Sequence, residues 1–340
     1  MSTGHRMIGE ITLSIKDGGI VVVSEVAVIG ENLVDLIVGE DGSTQAVVGG
    51  GPLNVARTVA RLGGQVRLVS GVSSDVFGRR IRDLAAADGV VLARPAATSQ
   101  PTTMAVVELT HGDAQYHFHL RDTAAFSVSE VSDLRGVDAL YVGTLGLVVS
   151  PMAEASVDAV RDASPHTLVV LDPNCRPRAT ADREAYVSRV LGICPRADVV
   201  KVSLDDVAFL FPELTPTEAA AELQRAGATL VVLSDGPAPL RALVGSEWLE
   251  IPVPPTKVVD TVGAGDSLVG AFVVWWLGHD LTRSDLVTSH FVDAGLRAAI
   301  EVSRRTCMVA GAEPPHLNDL ANEPTWSWLR PASSTTPSTP

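Results

Sequence analysis

Residues 260–266 read Asp-Thr-Val-Gly-Ala-Gly-Asp and run straight into an apolar stretch over 267–277. Gly263 and Gly265 flank Ala264, so the backbone is free to turn tightly and aim consecutive N–H groups at one point. The run that follows has the character of a buried helix, and a helix start is a ready place for an anion. Asp266 stands at the lip of that pocket, where it can accept a proton from a hydroxyl brought up to the anion. An anion cradle beside a base is the equipment of phosphoryl transfer to an alcohol. A bare Gly-x-Gly-Asp is also a common turn with a helix cap, so the weight rests on the whole seven-residue run.

Other residues able to do chemistry follow apolar runs. Asp35 closes Gly30-Glu31-Asn32-Leu33-Val34-Asp35 just after a strand-like stretch, which puts a carboxylate at the edge of an open α/β sheet where ligands bind. In Gly49-Gly50-Gly51-Pro52-Leu53-Asn54 the glycines admit a close backbone approach and Pro52 suits a first helical turn. Asp172-Pro173-Asn174-Cys175-Arg176 also follows a buried run. Each has a plainer explanation: a solvated loop aspartate, a glycine turn, a proline-bounded turn. His117 and His119 share a strand face, but two histidines without a third ligand make a poor metal site.

Residues 260–266 resemble the C-terminal signature D-T-x-G-A-G-D of the ribokinase-like, phosphofructokinase B-type carbohydrate kinases. Gly49 to Asn54 resembles their N-terminal signature, in the form G-G-x-P-x-N-V-A of the fructokinase branch, and D-P-N-x-R at 172–176 is a further feature of that branch. The resemblance covers about residues 25–321. It implies ATP-dependent transfer of a γ-phosphoryl group to a primary hydroxyl of a small sugar, fructokinase-like. Ribose, a 2-keto-3-deoxy sugar acid or a nucleoside are alternative acceptors, and a non-catalytic sugar-binding or regulatory protein is the alternative of another class.

The same resemblance implies roles for individual residues. Asp266 would be the base and Gly263, Ala264 and Gly265 the anion hole. Its place at a helix start is expected to keep Asp266 ionised. Asp35, Gly50, Gly51, Asn54, Arg121, Asn174 and Arg176 would meet the sugar, the last two with the ATP phosphates as an alternative. Lys201, Ser203, Ser234, Gly236 and Thr261, with Gly263 and Gly265, would line the nucleotide site. Asp206 would organise Mg²⁺ through water, although it is one methylene shorter than the family's glutamate and a helix cap competes as its role. Asp260 would lie at a monovalent-cation site, for K⁺. Pro237 and Pro239 stiffen the loop that follows Gly236.

These residues need a scaffold. The 340 residues are 46% hydrophobic, ample for a sizeable core. Apolar β-rich runs at 26–29, 66–69, 139–142, 168–171, 199–202 and 230–233 read as buried strands, with helical patterns at 52–62, 77–87 and 217–225. That order implies an α/β fold: a doubly wound, largely parallel sheet flanked by helices. Extended segments at about 33–48 and 102–120 predict a small β-sheet lid, the second a hairpin about His111-Gly112-Asp113; in the resembling family such a lid often makes a homodimer. Residues 1–24 read as an N-terminal extension, 25–321 as the kinase domain, and 331–340, almost wholly Pro, Ser and Thr, as a disordered tail.

Composition narrows the partners. There are 26 basic and 40 acidic residues, a formal charge of −14, and no basic stripe, which argues against nucleic acid or an anionic membrane. Three widely spaced cysteines and no convincing targeting segment fit the cytoplasm. A Walker A sequence is missing, as is a dinucleotide fingerprint after the first strand.

Overall fold

The computed structural model describes residues 24–94, 96–110, 113–131 and 134–329, together with three short strands ahead of them. Those strands, β1 (His5–Ile8), β2 (Ile11–Lys16) and β3 (Gly19–Val22), pair antiparallel in a sheet of their own. The main body begins with β4 (Glu25–Ile29), β5 (Leu33–Val38), β6 (Thr44–Gly49), α1 (Gly51–Arg61), β7 (Gln65–Val69), α2 (Val76–Asp88), β8 (Val91–Leu92), β9 (Met104–Thr110) and β10 (Asp113–His119). It continues with β11 (Ala139–Gly143), α3 (Met152–Asp162), β12 (Leu168–Asp172), α4 (Arg183–Ile193), β13 (Val199–Ser203), α5 (Leu204–Leu210) and α6 (Pro216–Arg225). The last elements are β14 (Leu230–Ser234), β15 (Leu240–Val244), β16 (Glu247–Ile251), α7 (Ala264–Gly278) and α8 (Ser289–Thr306).

Nine strands form the large sheet in the order β16-β15-β14-β13-β12-β11-β4-β7-β8. From β14 to β8 every pairing is parallel, and only the β15–β16 hairpin joins antiparallel. The chain winds outward from β4 to β7 and β8, then returns to the other side of β4 with β11. Strand order therefore reverses between β4 and β11, and an open α/β sheet binds ligands beside such a reversal.

Alternation along the strands feeds two cores. Val26 and Val28 of β4 pack with α1, α2, α7 and α8 on one face, while Ala27 and Ile29 pack with the α3–α6 layer on the other. Residues 267–276 of α7 are all buried, which explains an apolar run without amphipathic period. Packing extends past residue 321, where the resemblance ends. Trp326 is 2% exposed and donates to the Ala298 carbonyl at 3.1 Å, and Trp275 donates to the Thr325 carbonyl at 3.1 Å. Residues 331–340 lie outside the described residues.

The lid is a second sheet, order β10-β9-β5-β6. Asp35 pairs with Val47 on one side and Ala105 on the other, and Ala105 pairs with Phe118, so these four share one face. The hairpin tip expected at His111 and Gly112 falls outside the described residues. Asp75 joins lid to body: it caps α2 through the Gly78 amide at 2.8 Å and accepts from the Thr102 amide at 2.9 Å and hydroxyl at 2.6 Å. Burial alone would raise its carboxyl, but the hydrogen bonds outweigh it and hold the pKa at about 2.

Helix α1 is also tied to the C-terminal segment. Arg57, 1% exposed, donates to Asp88 at 2.6 Å, the Ala312 carbonyl at 2.7 Å and Glu313 at 2.8 Å. Arg61, one turn on, adds the Pro314 carbonyl at 2.7 Å.

Candidate active site

Helix α7 starts on a left-handed residue, Gly263, with φ 78°. A Cβ there would fall 2.6 Å from that of Ala312, so only glycine fits. The Thr261 carbonyl accepts from the Ala264 amide at 3.2 Å, and Thr261 itself is exposed. Asp260 accepts from the amides of Val262 at 3.0 Å and Gly311 at 2.8 Å. Each of its carboxylate oxygens is thus already engaged in shaping the loop, beside the monovalent-cation role expected of it.

Asp266 lies in the first turn of α7, only 7% exposed. Burial raises its pKa; the hydrogen bond from Asn54 and the charges of Lys201 and Arg176 oppose that rise without cancelling it. The weak base expected from the helix start is thus made more basic, because desolvation is the largest effect. Asn54 of α1 donates through Nδ2 to Asp266 Oδ2 at 2.9 Å, and its own Oδ1 is buried without a protein partner. That oxygen is a free acceptor next to the Asp266 carboxylate.

Gly51 opens the space these groups share. A Cβ on it would sit 2.8 Å from Thr144 Cγ2, 3.2 Å from Asp266 Oδ1 and 3.5 Å from Asn174 Nδ2. Gly50, with φ 111°, packs against Glu31, whose carbonyl oxygen a Cβ on Gly50 would meet at 2.8 Å. Asp35 lies over Gly49, whose Cβ would meet its Oδ2 at 2.6 Å. Burial pushes the Asp35 carboxyl up to about 6, and Arg176 opposes the shift. Arg176 thereby acts on Asp35 and Asp266 alike, while its guanidinium donates to Asn174 Oδ1 at 2.6 Å.

On the other side of the α7 start is Lys201 of β13. Its Nζ lies 3.0 Å from where a Gly265 Cβ would be and 3.4 Å from both oxygens of Asp172. Burial pulls the ammonium down, and Asp172, Asp206 and Asp266 together more than offset it, so its pKa is raised. Burial also lifts the Asp172 carboxyl to about 7 against the pull of Lys201.

Other expected residues stand differently. Asp206 is the capping partner of Ser203: its Oδ2 accepts from the Ser203 amide and hydroxyl, each at 2.7 Å, and its Oδ1 from the Cys175 amide at 2.6 Å. The helix-cap explanation therefore describes its contacts, which leave a metal only an indirect claim on it. Ser234 pairs in register with Ser203, one strand from Lys201, and Gly236 is exposed. Arg121 is exposed on the lid rim, lining a cavity of about 410 Å³ with Phe118, His119 and Arg178. Among the described residues no three His, Cys, Asp or Glu side chains gather as a metal site. His117 instead faces Glu108 at 3.7 Å.

Four neighbours of the site were given no role from the sequence: Glu31, Tyr141, Thr144 and Asp172. Glu31 and Asp172 sit inside the runs quoted above, and only their burial, 2% and 0% exposed, distinguishes them. Tyr141 Oη is buried without a partner.

The chain matches the pfkB family carbohydrate kinase over residues 23–299. It is 30% identical over 247 residues to a fructokinase of Rhizobium leguminosarum bv. trifolii, covering 70% of this chain and 75% of the relative. A fructokinase of Klebsiella pneumoniae is 30% identical over 305 residues, covering 86% and 97%. Among solved structures, fructokinase with bound ATP from Xylella fastidiosa superposes with a TM-score of 0.78 at 25% identity, covering 85% of this chain and 93% of the other. Fructokinase from Vibrio cholerae O395, bound to fructose, ADP and calcium ion, shares the fold with a TM-score of 0.77 at 22% identity, covering 91% and 99%.

Proposed function

This chain belongs to the pfkB family of carbohydrate kinases, phosphotransferases with an alcohol as acceptor, and on that footing we propose that it phosphorylates a primary hydroxyl of a small sugar from ATP, as a fructokinase does. The observation that carries this reading is the gap at Gly51, where Asp266 Oδ1 and Asn174 Nδ2 converge beside the Asn54–Asp266 hydrogen bond. A sugar lying there would offer hydroxyls to Asp35 and to the free Asn54 Oδ1 while one hydroxyl faces Asp266.

Asp266 takes the proton of that hydroxyl. A loose phosphoryl-transfer transition state needs only late proton removal, and a carboxylate made more basic by burial meets that need. The amides of Gly263 and Gly265, the dipole of α7 and the Lys201 ammonium stabilise charge on the moving group. Mg²⁺, held through phosphate oxygens and water beside Asp172 and Asp206, would neutralise phosphate charge. K⁺ near Asp260 belongs to the same proposal. The lid, tied to the body through Asp75, would keep water from the phosphoryl group.

Two further parts of the reading are also proposals. Tyr116, 40% exposed and stacked on Phe118 at 6.0 Å, gives the lid apolar surface for a homodimer contact. No helix among the described residues is long and apolar enough to cross a membrane, and we place the enzyme in the cytoplasm.

A coupled ADP-release assay across ketoses, pentoses, sugar acids and nucleosides tests the assignment. Fructose is expected to give the highest kcat/KM, and ADP release with none of the panel would overturn it. Arg178 lines the same cavity as Arg121, which makes a sugar acid the second acceptor to examine, since guanidinium groups suit a carboxylate.

A further inference from the structure

Glu31 is a buried carboxylate with no part in the reaction as described above. Its side-chain hydrogen bonds come from the segment after β11: Thr144 Oγ1 lies 2.6 and 2.5 Å from its two oxygens, and the Gly146 amide donates at 3.1 Å. Glu31 follows β4 and Thr144 follows β11, the two strands between which sheet order reverses. The contact therefore spans the mouth of the ligand crevice.

Thr144 is held in an unusual shape. Its φ is 54°, in the left-handed region that β-branched residues avoid. This backbone turns the hydroxyl toward Glu31 and the methyl toward Gly51, where Cγ2 lies 2.8 Å from the imagined Cβ position, in the gap also bounded by Asp266 and Asn174. Close packing of the segment adds to the constraint, because a Cβ on Gly146 would fall 2.8 Å from Gly30 Cα.

We propose that Glu31 and Thr144 are positioning residues for the acceptor: Glu31 fixes Thr144 with its hydroxyl outward and its methyl inward, and that methyl sets the width of the gap in which the sugar meets Asp266. The inference rests on the sugar-kinase reading. Neither residue touches the transferred group, so the pair acts on acceptor binding and selectivity and leaves the nucleotide side alone.

Two near-isosteric variants separate the halves of the claim. Thr144→Val keeps the branched shape and deletes the donor, while Thr144→Ser keeps the donor and deletes the methyl. Both are compared with the wild-type enzyme for acceptor KM, ATP KM, kcat and thermal unfolding midpoint. Thr144→Val is expected to raise acceptor KM by about tenfold with ATP KM within about twofold. Thr144→Ser is expected to hold acceptor KM within about threefold and to shift kcat/KM toward bulkier acceptors.

Equal changes in both KM values, or unchanged acceptor KM in Thr144→Val, would overturn the proposal, as would an unaltered acceptor ranking in Thr144→Ser. Should Thr144→Val fail to fold, Glu31→Gln gives the same reading, because its carbonyl oxygen still accepts from Thr144 and its acceptor KM must stay below that of Glu31→Ala. An inactive wild type across all acceptors would instead sink the kinase reading and this inference with it, whereas an active wild type with indifferent variants sinks this inference alone.

Discussion

Asn54 Nδ2 and Asp266 Oδ2 meet at 2.9 Å although 212 positions separate them in the chain. The bond joins the first turn of α1 to the first turn of α7, each of which starts on a glycine-rich loop at the sheet's ligand edge. It does two things at once. It aims the carboxylate of Asp266, and it stabilises that carboxylate's charged form against burial.

Replacing Asn54 by Ala removes that stabilisation. Asp266 must be ionised to accept a proton, and without the Asn54 donor its pKa rises further, so activity will be lost at a higher pH as the medium is acidified. A pH profile of kcat checks this. An acidic limb that stays where the wild type has it would show that Asn54 does not tune the base.

Asp266→Asn deletes the base and the charge. Turnover is expected to fall by about 10²-fold or more. Stability should behave otherwise. A buried acid with a raised pKa favours folding below its ordinary value and loses that contribution as pH climbs through the folded value, so at neutral pH the charged Asp266 is a cost the amide does not carry. Chemical denaturation at pH 7 should find the variant as stable as the wild type or more so.

The two glycines of the anion hole predict opposite failures. Gly263→Ala forces a left-handed alanine with its Cβ 2.6 Å from that of Ala312, which should cost about 2–4 kcal/mol of stability. Gly265→Ala meets only the flexible end of Lys201 at 3.0 Å, so the fold should survive while kcat/KM for ATP drops by about 10²-fold. Denaturation midpoints and steady-state kinetics on the pair distinguish the two; a Gly265→Ala enzyme with normal ATP kinetics would remove the anion hole from its assigned place.

Asp35 offers a third test of ionisation. Its carboxyl is pushed up to about 6 by burial, and as a hydrogen-bond acceptor for sugar hydroxyls it must be charged. Acceptor KM should therefore climb as pH falls through about 6. Arg176→Gln, by deleting the opposing charge, should move that climb to higher pH. Acceptor KM measured from pH 5 to 8 reads both effects.

Much of this was legible in the residues alone. The strands expected at 26–29 and 66–69 are β4 and β7, and the helix expected at 52–62 is α1, one residue out of step at each end. Apolar runs and glycine turns are local features, so sequence carries them. Glu31 and Thr144 were not legible as a pair because 113 positions separate them and only the neighbouring of β4 and β11 joins them. The upward shift of Asp266 was not legible for a related reason: helix position is written in the sequence, but the depth to which α7 is buried is not. Nor could 322–329 be read as part of the body, since Trp326 gains its place from a carbonyl on α8.

Arg57 ties α1 to the segment that packs against the start of α7. Its guanidinium grips the carbonyl of Ala312, and Ala312 is the residue whose methyl crowds Gly263 at the head of the phosphate cradle. The helix that carries Asn54 is thereby joined to the residue packed against the start of α7. One arginine side chain thus makes α1 and the start of α7 parts of a single packed unit.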